Sequence, residues 1–269
     1  YEQTEGGRQT AMLGAWNRDG SRKWAHEIAA ASRNPVVRSN GREIVTAWIQ
    51  SEADGAEAVW VGSWNASGME TRARTRLGPA SKTTWNLNLA VDGAEAWVVF
   101  DAVNATRSNE LFFGRVGPAG AQPLQRLTRD DGMASKYPDL QAGAQGRVAL
   151  TWYDTRDGND EVYLLVTSQS ELGGEIDDRA RRITTTQGES VGAYVAWNGE
   201  RVGLAWSDKT LGQHEVYFQS FDSAGQPLTS AERLTTSDTW SLVPAIRPWR
   251  EGFALAWTEY RPASGHRER

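Results

Sequence analysis

Cysteine is absent from the 269 residues of this sequence, and histidine occurs three times. Without cysteine there is no disulfide, thiolate metal site or cysteine nucleophile. The histidines, at positions 26, 214 and 266, lack the H-x-H or H-E-x-x-H spacing of zinc sites. The sequence therefore predicts no resident metal centre built on cysteine or histidine.

Long apolar runs and excess positive charge are also lacking. The longest apolar runs, such as Ala96 to Phe100, have the length of a buried strand rather than the roughly 18 residues of a membrane helix. The net charge of -5 and pI near 5.4 are unsuited to a surface that tracks nucleic-acid phosphates. We expect no membrane span and no nucleic-acid partner.

The first residue is Tyr1 rather than Met. Such a start is typical of a chain from which a signal peptide or a preceding segment has been removed. We therefore expect a secreted or periplasmic protein.

The sequence does contain an internal repeat of about 52 residues. An apolar run, a polar turn and a second apolar run recur, as short alternating runs do in β-hairpins. The predicted equivalent positions in the first run are Trp48, Val99, Trp152, Trp206 and Trp257. The four tryptophans among them are expected to fill the space between neighbouring sheets.

A shorter run stands before and after each hairpin, for example PDLQ (Pro138 to Gln141) and RRIT (Arg181 to Thr184). Four strands per repeat are one blade of a β-propeller. The sequence thus predicts an all-β, five-bladed β-propeller with four-stranded antiparallel blades, as a single domain over 1–269. The predicted blades cover about 30–78, 79–128, 129–184, 185–235, and 236–269 together with 8–29.

The last repeat ends before its third strand, whereas the chain opens with TAMLGAWNRDG (Thr10 to Gly20). That segment matches EVYFQSFDSAG (Glu215 to Gly225) of the fourth repeat. We expect the N-terminal segment to complete the last blade, because this closure pairs strand edges that would otherwise be exposed.

The stretch from Ser135 to Thr184, with its Pro-Asp start, its DTRDG turn and its closing RRIT, resembles the repeats of TolB-type, WD40-like propellers. Leu204 to Thr235 has the same plan, and the other repeats keep its skeleton. The resemblance implies a propeller fold. It implies no particular activity, since propellers include lectins, hydrolases, lyases and scaffolds.

The innermost strands supply one column of equivalent residues that we expect to line a central channel: Val36, Asn86, Asp139, Tyr194 and Ala245. A glycosidase needs a pair of carboxylates, and Asp139 is the one acid in this column. Loop residues Asp130, Asp131 or Asp238 could supply the second. No G-x-S-x-G, Walker, dinucleotide or Asp-box motif is present.

A second column comes just after the first hairpin strand and is mostly acidic: Gln50, Asp101, Asp154, Asp208 and Glu259. It could hold a cation or a basic partner, but we favour carboxylates that accept hydrogen bonds in their own turns. The turn at 154–160 offers a weak calcium candidate in Asp154, Asp157 and Asn159. A tight hairpin turn at Asp157-Gly158 explains it equally well.

Trp85 and Trp240 lie at or just before innermost strands, where an exposed ring could stack on a sugar or anchor a partner. The predicted ligand-binding residues are Trp85, Asn86, Asp139, Tyr194 and Trp240. The leading hypothesis is a non-enzymatic propeller that binds a protein or a glycan. The alternatives are a carbohydrate-active enzyme that uses Asp139 with a loop carboxylate, and a structural domain of a larger protein.

Overall fold

The computed structural model describes residues 1–5, 8–81, 83–103 and 107–261. Their regular structure is β-strand, apart from two short 3₁₀ turns at Ala144–Gly146 and Asp177–Arg179. Within these ranges no helix is long and apolar enough to span a membrane. The chain divides into two compact units, Tyr1–Asp130 and Asp131–Arg269. The single-domain boundary stays a prediction.

The first unit contains three antiparallel sheets among its described residues. One has the order β1-β2-β3, one β4-β5-β6-β7, and one β8-β9-β10-β11, with β12 also paired to β10. The strands are β1 Glu2–Glu5, β2 Arg8–Trp16, β3 Arg22–Ala30, β4 Ser32–Ser39, β5 Ile44–Ser51, β6 Glu57–Trp64, β7 Glu70–Ser81, β8 Thr84–Asp92, β9 Glu95–Val103, β10 Asn109–Gly117, β11 Gly120–Ala121 and β12 Gln125–Arg126.

The second unit contains two four-stranded sheets, β13-β14-β15-β16 and β17-β18-β19-β20, and a two-stranded sheet, β21-β22, within the described part of the chain. The strands are β13 Ser135–Ala142, β14 Arg147–Asp154, β15 Glu161–Ser168, β16 Arg181–Arg182, β17 Ser190–Asn198, β18 Arg201–Asp208, β19 Glu215–Asp222, β20 Glu232–Arg233, β21 Trp240–Trp249 and β22 Gly252–Tyr260. The all-β class and the four-stranded antiparallel blades are thus confirmed.

The terminal segments pair differently from the sequence prediction. In the first unit β2, which contains most of Thr10 to Gly20, lies between β1 and β3. Strand β1 occupies an edge of β2 because the chain folds back as a hairpin that pairs Glu2 with Ala11 and Glu5 with Arg8. In the second unit β22 pairs with β21, and Trp257, predicted to be core, is 39% exposed.

One repeat is shifted by one residue relative to the prediction. Phe100, not Val99, is equivalent to Trp152, because each pairs with an aromatic residue of the next strand, Phe112 or Tyr163. These two pairs are stacked at 5.7 Å. Ala102 rather than Asp101 therefore takes the place of Asp154. The difference matters because a one-residue shift moves every side chain of a strand to the other face.

Asn86 does not belong to the predicted column, which takes Asn88 in its place. The residues that pair one position before the aromatic are Val36, Asp139, Tyr194, Ala245 and, in β8, Asn88. Asn86 instead lies in a bulge, where its N–H donates to Asp101 Oδ1 at 2.6 Å. Asn86 thus takes the bulge position two residues before the column, as Tyr137 does in β13.

A bulge near the start of the first strand recurs in all four blades and in β21. In four of these five strands it holds a residue with positive φ, namely Asn34, Tyr137, Gly192 or Val243. Proline comes directly after the positive-φ residue at positions 35, 138 and 244. Because proline has no N–H, it leaves no unpaired backbone donor where the bulge interrupts the hydrogen bonds between the strands.

The apolar cores lie between neighbouring sheets. In the first unit Val61 of β6 belongs to the same buried cluster as Leu89 and Val98 of the next sheet. In the second unit Leu164 of β15 shares a cluster with Val195 and Leu204. The blades β4–β7 and β13–β16 are therefore each covered on one face by the next blade of the same unit.

A buried glutamate at the start of the third strand connects to the fourth segment of the blade. Thr128, Thr184 and Thr235 donate their hydroxyls to Glu110, Glu161 and Glu215. Each threonine oxygen also accepts the N–H of the residue after the glutamate, at 2.9 Å. These bonds hold the short β12, β16 and β20 in register with longer strands.

We expect Thr235→Val to destabilise the protein by about 1.5–3 kcal/mol, because it removes a hydrogen bond to the buried carboxylate of Glu215 and leaves the Val216 N–H unpaired. Urea unfolding measures the change. The matched control is Thr236→Val at the exposed next residue, expected within about 0.5 kcal/mol of the parent. Equal effects of the two substitutions would contradict this role for Thr235.

Candidate functional site

The mostly acidic column is used for hydrogen bonds inside its own sheets. Asp154 accepts from the Ser135 hydroxyl at 2.7 Å, and from the Arg156 N–H at 2.9 Å. Asp208 accepts from Ser190 at 2.8 Å, and from the Thr210 N–H at 2.8 Å. The interpretation that these two carboxylates serve their turns is confirmed.

Arginine lies against the acidic turn at 154–160. Arg156 forms ion pairs with Asp154 at 2.6 Å and with Asp177 at 2.5 Å. Burial works to raise the pKa of Asp154, but hydrogen bonds from Arg156 and Ser135 hold that pKa below its ordinary value. Asp154 is therefore a charged partner of arginine.

The other two calcium candidates in this turn also have protein partners. Asp157 pairs with Arg182 at 3.0 Å and accepts the Tyr163 hydroxyl. The Asn159 amide donates to a backbone carbonyl, that of Gly188, at 2.7 Å. No group of three or more potential metal-ligating acids or histidines occurs among the described residues. Calcium binding here stays an untested prediction.

Asp139 and Tyr194, two predicted site residues, come together in the second unit. Asp139 is 3% exposed, and its Oδ2 accepts the Val195 N–H at 2.8 Å. Burial raises the pKa of the Tyr194 phenol, and the nearby Asp139 and Tyr137 raise it further. The strands β13 and β17 thus set a carboxylate beside a half-buried phenol that stays protonated at neutral pH.

Tyr137 is a site residue that sequence reasoning missed. It occupies the β13 bulge at φ 54° and is 43% exposed. Its ring stacks on Tyr153 at 5.1 Å with 15° between the planes, so one face is held by protein. A bulky residue at positive φ is uncommon and tends to occur where function needs it. The signal in the sequence was the Tyr-Pro step that opens the strand.

Lysine reinforces the position of the two stacked rings. Lys136 Nζ lies 5.1 Å from the centroid of Tyr153 and 2.9 Å from Asp160 Oδ1. A cation over an aromatic face and an ion pair both restrict the side chains involved. We call Tyr137, Asp139 and Tyr194 together the Tyr137 surface.

Trp85 and Asn86 belong to the first unit. The Trp85 ring is 51% exposed, while its carbonyl accepts the Asn34 amide at 2.8 Å. The neighbouring Thr84 carbonyl accepts from Arg33, whose guanidinium pairs with Glu57 at 2.9 Å. Trp85 is therefore an exposed ring on a well-anchored backbone, as a ligand platform requires, whereas Asn86 uses its N–H within the bulge.

Trp240, in the second unit, is half-buried inside an aromatic cluster. His214 meets it edge-on at 5.6 Å, and Tyr260 is tilted against it at 6.0 Å. Lys209 Nζ lies 5.6 Å from its ring centroid. The ring is engaged by these neighbours, so it is less open to a ligand than the sequence position indicated.

The loop carboxylates proposed to assist Asp139 make local contacts. Asp130, in the first unit, pairs with Arg126 at 3.5 Å. In the second unit Asp131 accepts the Met133 N–H at 2.9 Å, and Asp238 pairs with Arg261 at 3.6 Å. Asp238 is highly exposed. These contacts leave the choice of a second carboxylate open.

Solved structures resemble this arrangement of sheets. An α-L-arabinanase from Penicillium chrysogenum, complexed with arabinobiose, matches with a TM-score of 0.58 and 10% identity over 85% of this chain and 80% of that one. The chain has a β-propeller fold. An α-L-arabinofuranosidase from Lactobacillus brevis matches with a TM-score of 0.51 and 11% identity, over 87% of this chain and 84% of that one.

A Trypanosoma rangeli sialidase in complex with the inhibitor DANA matches with a TM-score of 0.53 and 9% identity. The match covers 91% of this propeller and 46% of the sialidase chain. No protein-family model matches the sequence, and no curated protein sequence matches it. The likenesses establish the propeller fold; the narrower TolB-type resemblance stays an interpretation of the repeat.

We expect the stability contributed by Glu259 to depend on pH. Hydrogen bonds from Thr239, Trp257 and Ser241 lower its pKa to about 2, from an ordinary value of 4.5. A lowered pKa stabilises the folded state above the unfolded value, and this stabilisation is lost as pH falls towards 2. The Tm difference between the parent and Glu259→Gln should therefore be largest above about pH 5 and shrink towards about pH 2. A difference that stays constant across this range would contradict the assignment.

Proposed function

We propose that the protein recognises carbohydrate at the Tyr137 surface. The observation that carries the proposal is the exposed, stacked ring of Tyr137 close to Asp139 and Tyr194. A flat apolar ring beside a few fixed polar groups is the combination that orients a small ligand. The exposed Trp85 of the first unit is a second aromatic residue that could contact a saccharide.

Protein contacts hold the ring of Tyr137 before any ligand arrives. Tyr153 covers one face, and Pro138, the next residue after Tyr137, is buried in β13. Because little side-chain freedom remains to be lost, binding to the other face costs less conformational entropy. A sugar ring has an apolar face of C–H groups that suits such a platform.

The similar solved structures support a carbohydrate ligand as far as a shared fold can. Those described above are an arabinanase, an arabinofuranosidase and a sialidase. At about 10% identity, a shared fold does not indicate which substrate a protein binds. The proposal includes a secreted or periplasmic location, where polysaccharides are accessible.

We expect Tyr137→Ala to weaken saccharide binding about tenfold or more, a loss of ~1.4 kcal/mol or above. Titration calorimetry with arabinobiose, xylobiose, cellobiose and lactose measures it. The control is Trp249→Ala, which removes another exposed aromatic of the second unit and should leave affinity unchanged. Absence of binding to all four disaccharides by the parent protein would overturn the proposal.

Glycoside hydrolysis is a second candidate function. It is favoured by the burial of Asp139, since a carboxyl group removed from water is suited to acid–base work. Its partner would be a loop carboxylate such as Asp131 or Asp238. Asp139 would then donate or accept the proton at the glycosidic oxygen or at the attacking water.

The substitution Asp139→Asn separates the two candidates, because asparagine can still accept the Val195 N–H. A hydrolase should lose at least about 100-fold in turnover, measured as released reducing ends. A binding protein without hydrolase activity should show no turnover before or after the change. Turnover that survives the substitution would exclude Asp139 as the acid or base.

A further inference from the structure

We infer that a cavity in the first unit binds a small, largely apolar molecule that carries an aromatic ring and one hydroxyl group. The observation that carries the inference is the hydroxyl of Thr46. It is buried at the wall of this cavity and has no hydrogen-bond partner among the residues that the structure describes. The inference does not depend on the proposed function, because the Tyr137 surface belongs to the second unit.

The cavity lies between the sheet β1-β2-β3 and the sheet β4-β5-β6-β7. Its volume is about 510 Å³, which is in the range of sites for small molecules. The lining is mostly apolar and includes Leu13, Trp16, Ile28, Val36, Ile44 and Thr46. A ligand here would bury an apolar body and meet few polar groups.

The alternation of side chains along β5 turns Thr46 towards this cavity. Successive side chains of a strand point to opposite faces. Val45 and Ala47 belong to the cluster shared with β8 and β9, whereas Ile44 and Trp48 pack in the cluster formed with β2 and β3. Thr46 is on the same face as Ile44 and Trp48, and it is 1% exposed.

The other repeats have an aliphatic residue where this one has threonine. The position is two residues before the aromatic of the second strand in each blade, and it holds Val98, Leu150, Leu204 and Leu255 in the other repeats. Val98 shares a cluster with β6, and Leu204 shares one with β15, so both pack against the preceding sheet. Packing between sheets therefore accepts an aliphatic side chain at this position, and it does not explain a hydroxyl.

A buried hydroxyl without a partner costs free energy, and a ligand that bonds to it removes that cost. The threonine hydroxyl can donate one hydrogen bond and accept others, and a phenolic hydroxyl can do the same. An aromatic alcohol or a phenol thus matches both the apolar lining and the unpaired group of Thr46.

Trp16 provides an aromatic wall that is already in position. Its ring lines the cavity and is 52% exposed, so it can be reached from solvent. The ring lies over Gly14, where a Cβ would come within 2.7 Å of a ring carbon. Tyr1 meets the ring edge-on at 6.3 Å. Because these contacts restrict the indole, an aromatic ligand that packs on it loses less conformational entropy on binding.

The test compares 2-naphthol with naphthalene, which has the same two rings and no hydroxyl. Thr46→Val removes the unpaired hydroxyl and keeps the branched shape of the side chain. We expect it to weaken binding of 2-naphthol about tenfold and to leave binding of naphthalene unchanged. Titration calorimetry measures both affinities. The Tm without ligand should not fall, because the Thr46 hydroxyl has no protein hydrogen bond to lose.

The matched control is Thr151→Val in the second unit. Thr151 is also buried, but its hydroxyl donates to the Tyr163 carbonyl at 2.8 Å. This substitution should lower the Tm and leave both affinities unchanged. A second pair of variants tests the aromatic wall: Trp16→Ala should weaken binding of both ligands, and Trp249→Ala, at another exposed tryptophan, should weaken neither.

Three results would overturn the inference. The first is that the parent protein does not bind 2-naphthol. The second is that Thr46→Val weakens 2-naphthol and naphthalene equally, since the hydroxyl of the ligand would then not meet Thr46. The third is that neither Thr46→Val nor Trp16→Ala changes the affinity for 2-naphthol, which would place the ligand outside this cavity.

Discussion

A buried glutamate at the start of the third strand is the interaction on which three of the blades depend, those that end in β12, β16 and β20. Glu110, Glu161 and Glu215 lie inside the protein, where a lone carboxylate would be costly. A threonine from the end of the blade satisfies each of them and at the same time caps the next backbone N–H. A two-residue fourth strand can therefore hold its register, which leaves the loops before it free to vary.

Functional groups are positioned by a second constraint, the bulge in the first strand. In four of the five bulges one residue takes a left-handed conformation, and Tyr137 and Val243 at this position are exposed. The repeat supplies the same position in successive sheets, but with different residues. In the second unit this position holds a tyrosine in β13, a glycine in β17 and a valine in β21.

The repeat made the blades predictable, because four short alternating runs in each repeat are compatible with few other folds. It also indicated that Asp139 and Tyr194 are equivalent positions on neighbouring strands, which the structure brings together. The repeat failed in the second blade, where neither Val99 nor Phe100 is a tryptophan and the apolar run alone does not set the register. Asn86 lies in a bulge, and the aromatic of the second blade is Phe100 rather than Val99.

By itself the sequence determined the all-β class, the four-stranded antiparallel blades and the hydrogen-bonding role of Asp154 and Asp208, since these depend on local periodicity and turn chemistry. Tertiary structure alone decided that Tyr137 is an exposed, stacked ring, that Trp240 is engaged by His214, Lys209 and Tyr260, and that β2 pairs with β1. The physical reason is that exposure and strand pairing depend on residues distant in the chain, which no local pattern records.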